Sequence, residues 1–191
     1  MSEHARNAVI SRRNVLIGSG LVIAVVLGGR KVLMSPHEAH KAGAETTVLT
    51  PQEAQILGHL GEALVPGALA AGIVPFVDSQ LAADPNESLL IARYFGIAPP
   101  YEAFYRSGLR ALEELARAEL DTSFVAVPVE QVRELALRLL NGSSKAWQGP
   151  PAPLFYLCLR SDAVDVVFGT PAGFETLGIP YREHIMPPGK W

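Results

Sequence analysis

The chain has little of what catalytic and redox sites are usually built from. Its 191 residues include a single cysteine, Cys158, and five histidines. One cysteine excludes an internal disulfide and any metal or haem site that needs paired thiolates. Cys158 stands in the apolar stretch "LFYLCLR", which indicates a buried and unreactive thiol.

Charged residues are scarce as well. They make up 18% of the chain against 49% apolar residues, a balance typical of a globular protein rather than a disordered one. Residues 1–44 hold six basic and two acidic residues, whereas residues 45–191 hold ten basic and seventeen acidic ones. Since binding of nucleic acid depends on neutralising phosphates, this acidic body predicts no nucleic-acid partner.

Motifs for chemistry are also few. The glycines after residue 44 are scattered, so the sequence predicts no phosphate-binding loop. His59 adjoins an apolar helical stripe, which favours a solvated place or one at the edge of the core over a catalytic one. Asp162 and Asp165 are three residues apart and could pair as metal ligands, but capping or an ion pair with Arg160 is favoured. We therefore expect no catalytic, cofactor-binding or metal-binding residue in this chain.

What the sequence does have is a distinctive start. Arg12 and Arg13 directly precede an apolar run at 15–29, which is fifteen residues long. A helix that spans a bilayer needs roughly 20 residues, and a shorter, moderately apolar run is typical of a signal peptide. The segment "SRRNVL", which ends at Leu16, resembles the twin-arginine export signal. We therefore expect the chain to be exported to the periplasm.

Two fates remain open for this leader. The small residues at 42–44 offer a cleavage site before Glu45. The alternative is a retained N-terminal anchor, whose cytoplasmic side would be marked by the same arginines. In both cases we divide the chain into residues 1–44, leader and linker, and residues 45–191, the body.

The body is predicted to be all-α, with five or six helices and no strand of useful length. Thr50, Pro51 and Glu53 form a capping box with proline at the first helical position, which predicts where one helix starts. Apolar residues at intervals of three and four predict further helices. These fall at 70–84, 100–120, 128–142 and 154–169, with a last turn at 170–175.

Three details of this arrangement can be checked. The helix at 154–169 is apolar nearly all round and is therefore expected at the centre. Glu113, Glu114 and Arg117 are expected to face solvent. Residues 32–48 are expected to be a linker.

The C-terminal stretch "GTPAGFETLGIPYREHIMPPGKW" is apolar, aromatic and rich in proline, unlike a polar tail that frays. It either packs on its own helices or docks on another subunit. Tyrosine, tryptophan and methionine are favoured at interfaces between proteins. The candidate interface residues are Phe174, Tyr181, His184, Met186 and Trp191.

Three segments together resemble the gluconate 2-dehydrogenase subunit 3 family, small subunits of membrane-associated, flavin-dependent sugar and alcohol dehydrogenases. They are the leader at 11–16, "LTPQEAQILGHLGEALVPGALAAGIVPFVDSQLA" at 49–82, and "DAVDVVFGTPAGFETLGIPYREHIMPPGKW" at 162–191. The middle segment matches a Thr-Pro-x-Glu helix start, a Leu-Val-Pro break and a helix that runs from Ala71 to Asp78.

The resemblance implies a non-catalytic escort subunit at the periplasmic face of the inner membrane. It implies that the chain lends its export signal to a large FAD-dependent partner of the GMC type, and that FAD is bound by that partner alone. A cytochrome c subunit often completes such complexes, and the twin-arginine translocase is the partner during export. Two alternatives remain: a stand-alone exported or anchored helical binding protein, and a chain that is itself a hydrolase or metal enzyme.

Overall fold

The computed structural model describes residues 21–142 and 145–179 of the chain. This part contains eight α-helices, two 3₁₀ turns and one two-stranded antiparallel sheet. The sheet consists of β1 (Ile23–Leu27) and β2 (Arg30–Met34). The helices are α1 (Pro36–Lys41), α2 (Pro51–Leu64), α3 (Ala68–Ala71), α4 (Ile73–Leu81), α5 (Glu102–Leu120), α6 (Val129–Leu140), α7 (Ala152–Phe168) and α8 (Pro171–Thr176). The mostly helical fold is confirmed. Both strands lie in the predicted leader and linker, not in the body, and the described part of the body has seven α-helices where five or six were predicted.

Helix α2 begins where the capping residues predict. The Thr50 hydroxyl accepts a hydrogen bond from the Glu53 amide, and the Glu53 carboxylate accepts one from the Thr50 amide at 2.8 Å. These bonds satisfy two amides that the first turn of a helix leaves without partners. The helix buries Ile56, Leu57 and Leu60 on one face.

The helix predicted at 70–84 is divided in two by Gly72, which ends α3 and begins α4 with a φ of +93°. Residues with a Cβ rarely adopt this left-handed conformation. A Cβ here would also collide with the backbone carbonyl of Pro36 in α1. Gly72 is therefore required both for the turn and for the close approach of α1.

Helix α7 is the central helix, as its uniformly apolar sequence predicts. It packs against α2, α3, α4, α5, α6 and α8. Phe155 and Leu159 are fully buried on it. Gly108 of α5 faces Phe155 so closely that a Cβ would collide with the ring. The two helices are therefore packed as closely as their backbones allow at this point.

The hairpin corrects one expectation, because residues 32–48 are not a linker. Strands β1 and β2 pair with Ile23 opposite Met34, across a turn in which Gly28 and Gly29 both have positive φ. Such two-residue turns match the twist of paired strands. The predicted linker contains most of β2 and all of α1. We call residues 23–45 the N-terminal clasp.

Glu113 is a further correction. It was expected to face solvent, but it is buried and accepts hydrogen bonds from the Phe124 amide at 2.9 Å and the Ser123 hydroxyl at 3.1 Å. It also pairs with Arg117 at 2.8 Å. Glu114 is exposed, as expected. Glu113 thus fixes the 3₁₀ turn Phe124–Ala126 to α5.

Within the described residues, none of the helices combines the length and the apolar character that crossing a bilayer requires.

Candidate functional site

Most of the predicted site residues lie outside the described part of the chain. They are the leader residues Arg12, Arg13 and Leu16, and the tail residues Tyr181, His184, Met186 and Trp191. Phe174 is described and lies half-buried on α8, which begins with a cap made by the Thr170 hydroxyl on the Gly173 amide. Its assignment to an interface therefore remains a prediction.

An apolar groove lies beside α8, close to where the chain enters the tail. It has a volume of about 490 Å³. Just beyond α8, Leu177 and Ile179 are 51% and 45% exposed. The surface at the end of α8 is thus apolar, as a surface that a partner covers would be. The walls of the groove include Leu21, Pro36, Ala70, Val166, Phe168 and Gly173.

A second groove lies between the N-terminal clasp and α2, with a volume of about 560 Å³. It contains two imidazoles, His40 and His59. The His59 Nε2 atom lies 2.7 Å from the carbonyl oxygen of Val127, and its ring meets Phe124 edge-on. His59 is half-buried, in agreement with its predicted place at the edge of the core. Apart from Gln55, the other wall residues are small or apolar and include Gly58, Leu69, Pro75 and Val125.

Asp162 is the one fully buried carboxyl of α7, and it is not paired as predicted. It accepts hydrogen bonds from the Tyr105 hydroxyl at 2.5 Å and the Ile91 amide at 3.1 Å. Among the described ion pairs none joins Arg160 to Asp162 or Asp165, so the expected ion pair with Arg160 is wrong.

The surroundings of this carboxyl set its chemistry. Burial raises the pKa of Asp162 to about 7, although both hydrogen bonds favour the ionised form. Burial, together with the neighbouring Asp162 carboxyl, also raises the pKa of Tyr105 well above its ordinary value. Asp162 has no exposed surface. The arrangement is suited to holding α5, α7 and the turn at 91–93 together rather than to contacting a substrate.

Cys158 lies one turn before Asp162 and is buried, as its sequence context predicts. Burial raises the pKa of its thiol to about 12, so the thiol is protonated at neutral pH. The thiolate is the nucleophilic form of cysteine, and this side chain does not supply it. Among residues 21–142 and 145–179, no three metal-ligating side chains come together.

Asp78 on α4 is a buried carboxylate that was not predicted as a site residue. Its two oxygens accept four hydrogen bonds, two from Thr47 and one each from the amides of Val48 and Leu49, at 2.7 to 3.0 Å. Asp78 thereby fixes the segment that enters α2 and positions the Thr50 cap.

Two of these buried carboxylates could have been found from spacing alone. Asp78 lies within the mostly apolar stretch "IVPFVDSQL". A helix with so many apolar residues is expected to be largely buried, and its one carboxylate with it. Glu113 is four residues after Leu109 and three before Ala116, which places it on the apolar stripe of α5. The partners of Asp162 are distant in sequence, so no local signal identifies them.

One of three comparisons with known proteins found a match. The family model described as gluconate 2-dehydrogenase subunit 3 matches residues 51–189. The comparison with curated proteins gave no match, and neither did the comparison with solved structures. The match begins at the first residue of α2 and includes all the helices from α2 to α8. It covers well over half of the chain, which therefore belongs to the gluconate 2-dehydrogenase subunit 3 family.

Proposed function

We propose that this chain is the non-catalytic small subunit of a periplasmic, FAD-dependent dehydrogenase complex that acts on a sugar, sugar acid or alcohol. The observation that carries the proposal is the family match over residues 51–189, since a third subunit implies partner subunits. In this role the chain stabilises the catalytic flavoprotein and supplies its export signal.

The partner assignment extends this proposal. We assign FAD to a large GMC-type subunit and none to this chain, and a cytochrome c subunit would accept the electrons. The apolar surface beside α8 supports docking at the C-terminal end, because Leu177 and Ile179 leave apolar side chains in water there. Phe174, Tyr181, His184, Met186 and Trp191 are the proposed interface residues.

The location follows from the leader. Arg12, Arg13 and Leu16 form the proposed twin-arginine signal, and export by this route accepts a folded cargo. A partner that folds around its flavin could therefore cross the membrane with this chain. We place the complex at the periplasmic face of the inner membrane.

The export role can be tested with Arg12→Lys and Arg13→Lys in one chain. The charge is kept while the guanidinium groups that a receptor would recognise are removed. We expect both this chain and the dehydrogenase activity to be lost from the periplasmic and membrane fractions. Activity that still reaches the periplasm would show that the partner does not depend on this leader.

The interface role can be tested by ending the chain before Tyr181. Loss of aromatic anchors can reduce binding by about 2 kcal/mol each, so capture of the flavin subunit should fall clearly. Circular dichroism should meanwhile show a nearly unchanged melting transition. A large drop in melting temperature with unchanged binding would mean that the tail covers the subunit's own core.

A further inference from the structure

The N-terminal clasp overlaps the predicted leader, yet it is built into the core. Ile23 and Ala39 are almost completely buried, and Val25 is 7% exposed. Strand β1 packs against α4, and α1 packs against α3 and α4. Removing the clasp would therefore uncover part of the core that residues 51–179 do not close by themselves.

Directed bonds hold the clasp in addition to apolar contact. The Glu45 amide donates to the carbonyl of Val26 at 3.0 Å, which ties the end of the clasp back to β1. The His37 Nδ1 atom lies 2.8 Å from the carbonyl oxygen of Ala70 in α3. Pro36 lies directly against Gly72, where only a residue without a Cβ fits.

The small residues that suggest a cleavage site have a structural role here. They end α1 as a Schellman motif: the Gly43 amide donates to the His40 carbonyl at 3.1 Å, and the Ala44 amide donates to the Ala39 carbonyl at 2.9 Å. Gly43 has the positive φ, +68°, that this motif needs. The sequence "AGA" is thus explained by a helix end, and both residues of the predicted scissile bond have hydrogen-bonded amides.

We propose that residues 23–45 are a permanent part of the mature subunit, and that any peptidase cleavage of the leader falls before Ile23 rather than at Ala44–Glu45. Proteolysis requires a segment that can open locally. This bond, although exposed at Glu45, joins the hydrogen-bonded end of α1 to the backbone bridge between Glu45 and Val26 of β1. The inference rests on the proposed export of the chain for its processing step. The docking of the clasp does not depend on export.

The first test is the N-terminus of the full chain recovered from periplasmic and membrane fractions, read by intact mass and N-terminal sequencing. We expect it at or before Ile23, with Arg30 and Lys31 present. A mature chain that begins at Glu45 would overturn the proposal.

The second test compares two glycines in the purified full-length chain. Gly72 and Gly67 have nearly the same φ, +93° and +90°, but only a Cβ at Gly72 would collide with Pro36. Gly72→Ala should accelerate hydrogen exchange in peptides covering 23–45 at least tenfold, and Gly67→Ala should leave it unchanged. The proposal that the clasp is docked would be overturned by equal effects of the two variants. It would also be overturned if peptides covering 23–45 of the wild-type chain exchanged at the rates of an unfolded chain.

A control keeps this test decisive if Gly72→Ala also disrupts the body. Exchange in α7 reports on the body. When it rises together with exchange in the clasp, His37→Ala replaces the glycine variant, because it removes the contact with Ala70 without forcing α1 away from Gly72. We expect faster exchange in the clasp and unchanged exchange in α7. If the chain is not exported at all, the proposed function fails, while the exchange measurement still decides the clasp.

Discussion

The N-terminal clasp and the helical body at 51–179 differ in how their folds are encoded. The body consists of helices whose caps and apolar spacing are visible locally, and it lies inside the family match at 51–189. The clasp lies before that match and shares its sequence with a leader. Both nevertheless contribute to one core, as Ile23 and Phe76 are about equally buried. The comparison teaches that the folded unit extends beyond the segment that the family model recognises.

The largest expected effect is a pH dependence of stability that originates in the body, because Asp162 lies on α7. Its pKa is about 7 in the fold and 3.8 as the ordinary value, so between these pH values the folded chain keeps a proton that the unfolded chain has lost. The free energy of unfolding should therefore fall as pH rises from 4 to 7 and level off above 7. Three pKa units correspond to about 4 kcal/mol.

Urea titrations at a series of pH values measure this fall. Asp162→Asn should flatten the curve between pH 4 and 7, because the amide does not titrate there. Tyr105→Phe should move the fall to higher pH, since it removes a hydrogen bond that favours the ionised carboxyl. An unchanged slope in Asp162→Asn would show that another group is responsible.

The next effect concerns residues 46–50, the joint that connects the clasp to α2 of the body. Asp78→Ala removes the acceptor of four hydrogen bonds from residues 47–49. We expect a loss of about 3 kcal/mol in unfolding free energy, because the freed amides are partly or fully buried. Ser79→Ala is the matched control, since its hydroxyl donates only to Phe76 in the same helix. Similar losses in both variants would mean that Asp78 does not fix this joint.

Within the body, neighbouring glutamates give a sharper contrast. Glu113→Ala should lower the unfolding free energy by about 2 kcal/mol, because the Phe124 amide loses its partner in a buried place. Glu114→Ala should change it by less than about 0.5 kcal/mol, as expected for an exposed position. Thermal denaturation of the two variants side by side measures the difference, and equal values would contradict the burial of Glu113.

The smallest effect tests whether buried side chains of the clasp stabilise the fold as much as those of the body do. Val25→Ala removes two buried methyl groups and should cost about 1.5 kcal/mol. Val77→Ala in α4 should cost a similar amount, and Leu33→Ala, at a residue 50% exposed, much less. Denaturant unfolding of all three gives the ranking. If Val25→Ala lowered the unfolding free energy by only as much as Leu33→Ala does, the clasp would not be part of the core.

The sequence predicted the features that depend on neighbours along the chain. The start of α2 follows from the Thr50–Glu53 capping box, and the central place of α7 follows from its apolar circumference. The same kind of signature, Ser35-Pro36-His37-Glu38, begins α1 and forms a capping box there. It was hidden because an adjacent apolar run favoured a leader followed by a linker.

The remainder depends on contacts between distant residues. Strand β1 is nearly continuously apolar, so no alternation distinguishes it from the rest of a signal peptide. Asp162 takes its role from Tyr105 and from Ile91, which is 71 residues away. Of the candidate site, only Phe174 lies in the described part of the chain, so sequence reasoning remains the basis for the tail residues.

The central claim, membership of a flavin dehydrogenase complex as a non-catalytic subunit, is tested most directly by purifying the tagged full-length chain from its native cells. The absorption spectrum and the mass of the co-purified chains are recorded together. The account predicts a large partner in equal amount, with a flavin spectrum and dehydrogenase activity that resides in the partner. Recovery of this chain alone, or of flavin and activity bound to this chain without a partner, would contradict it.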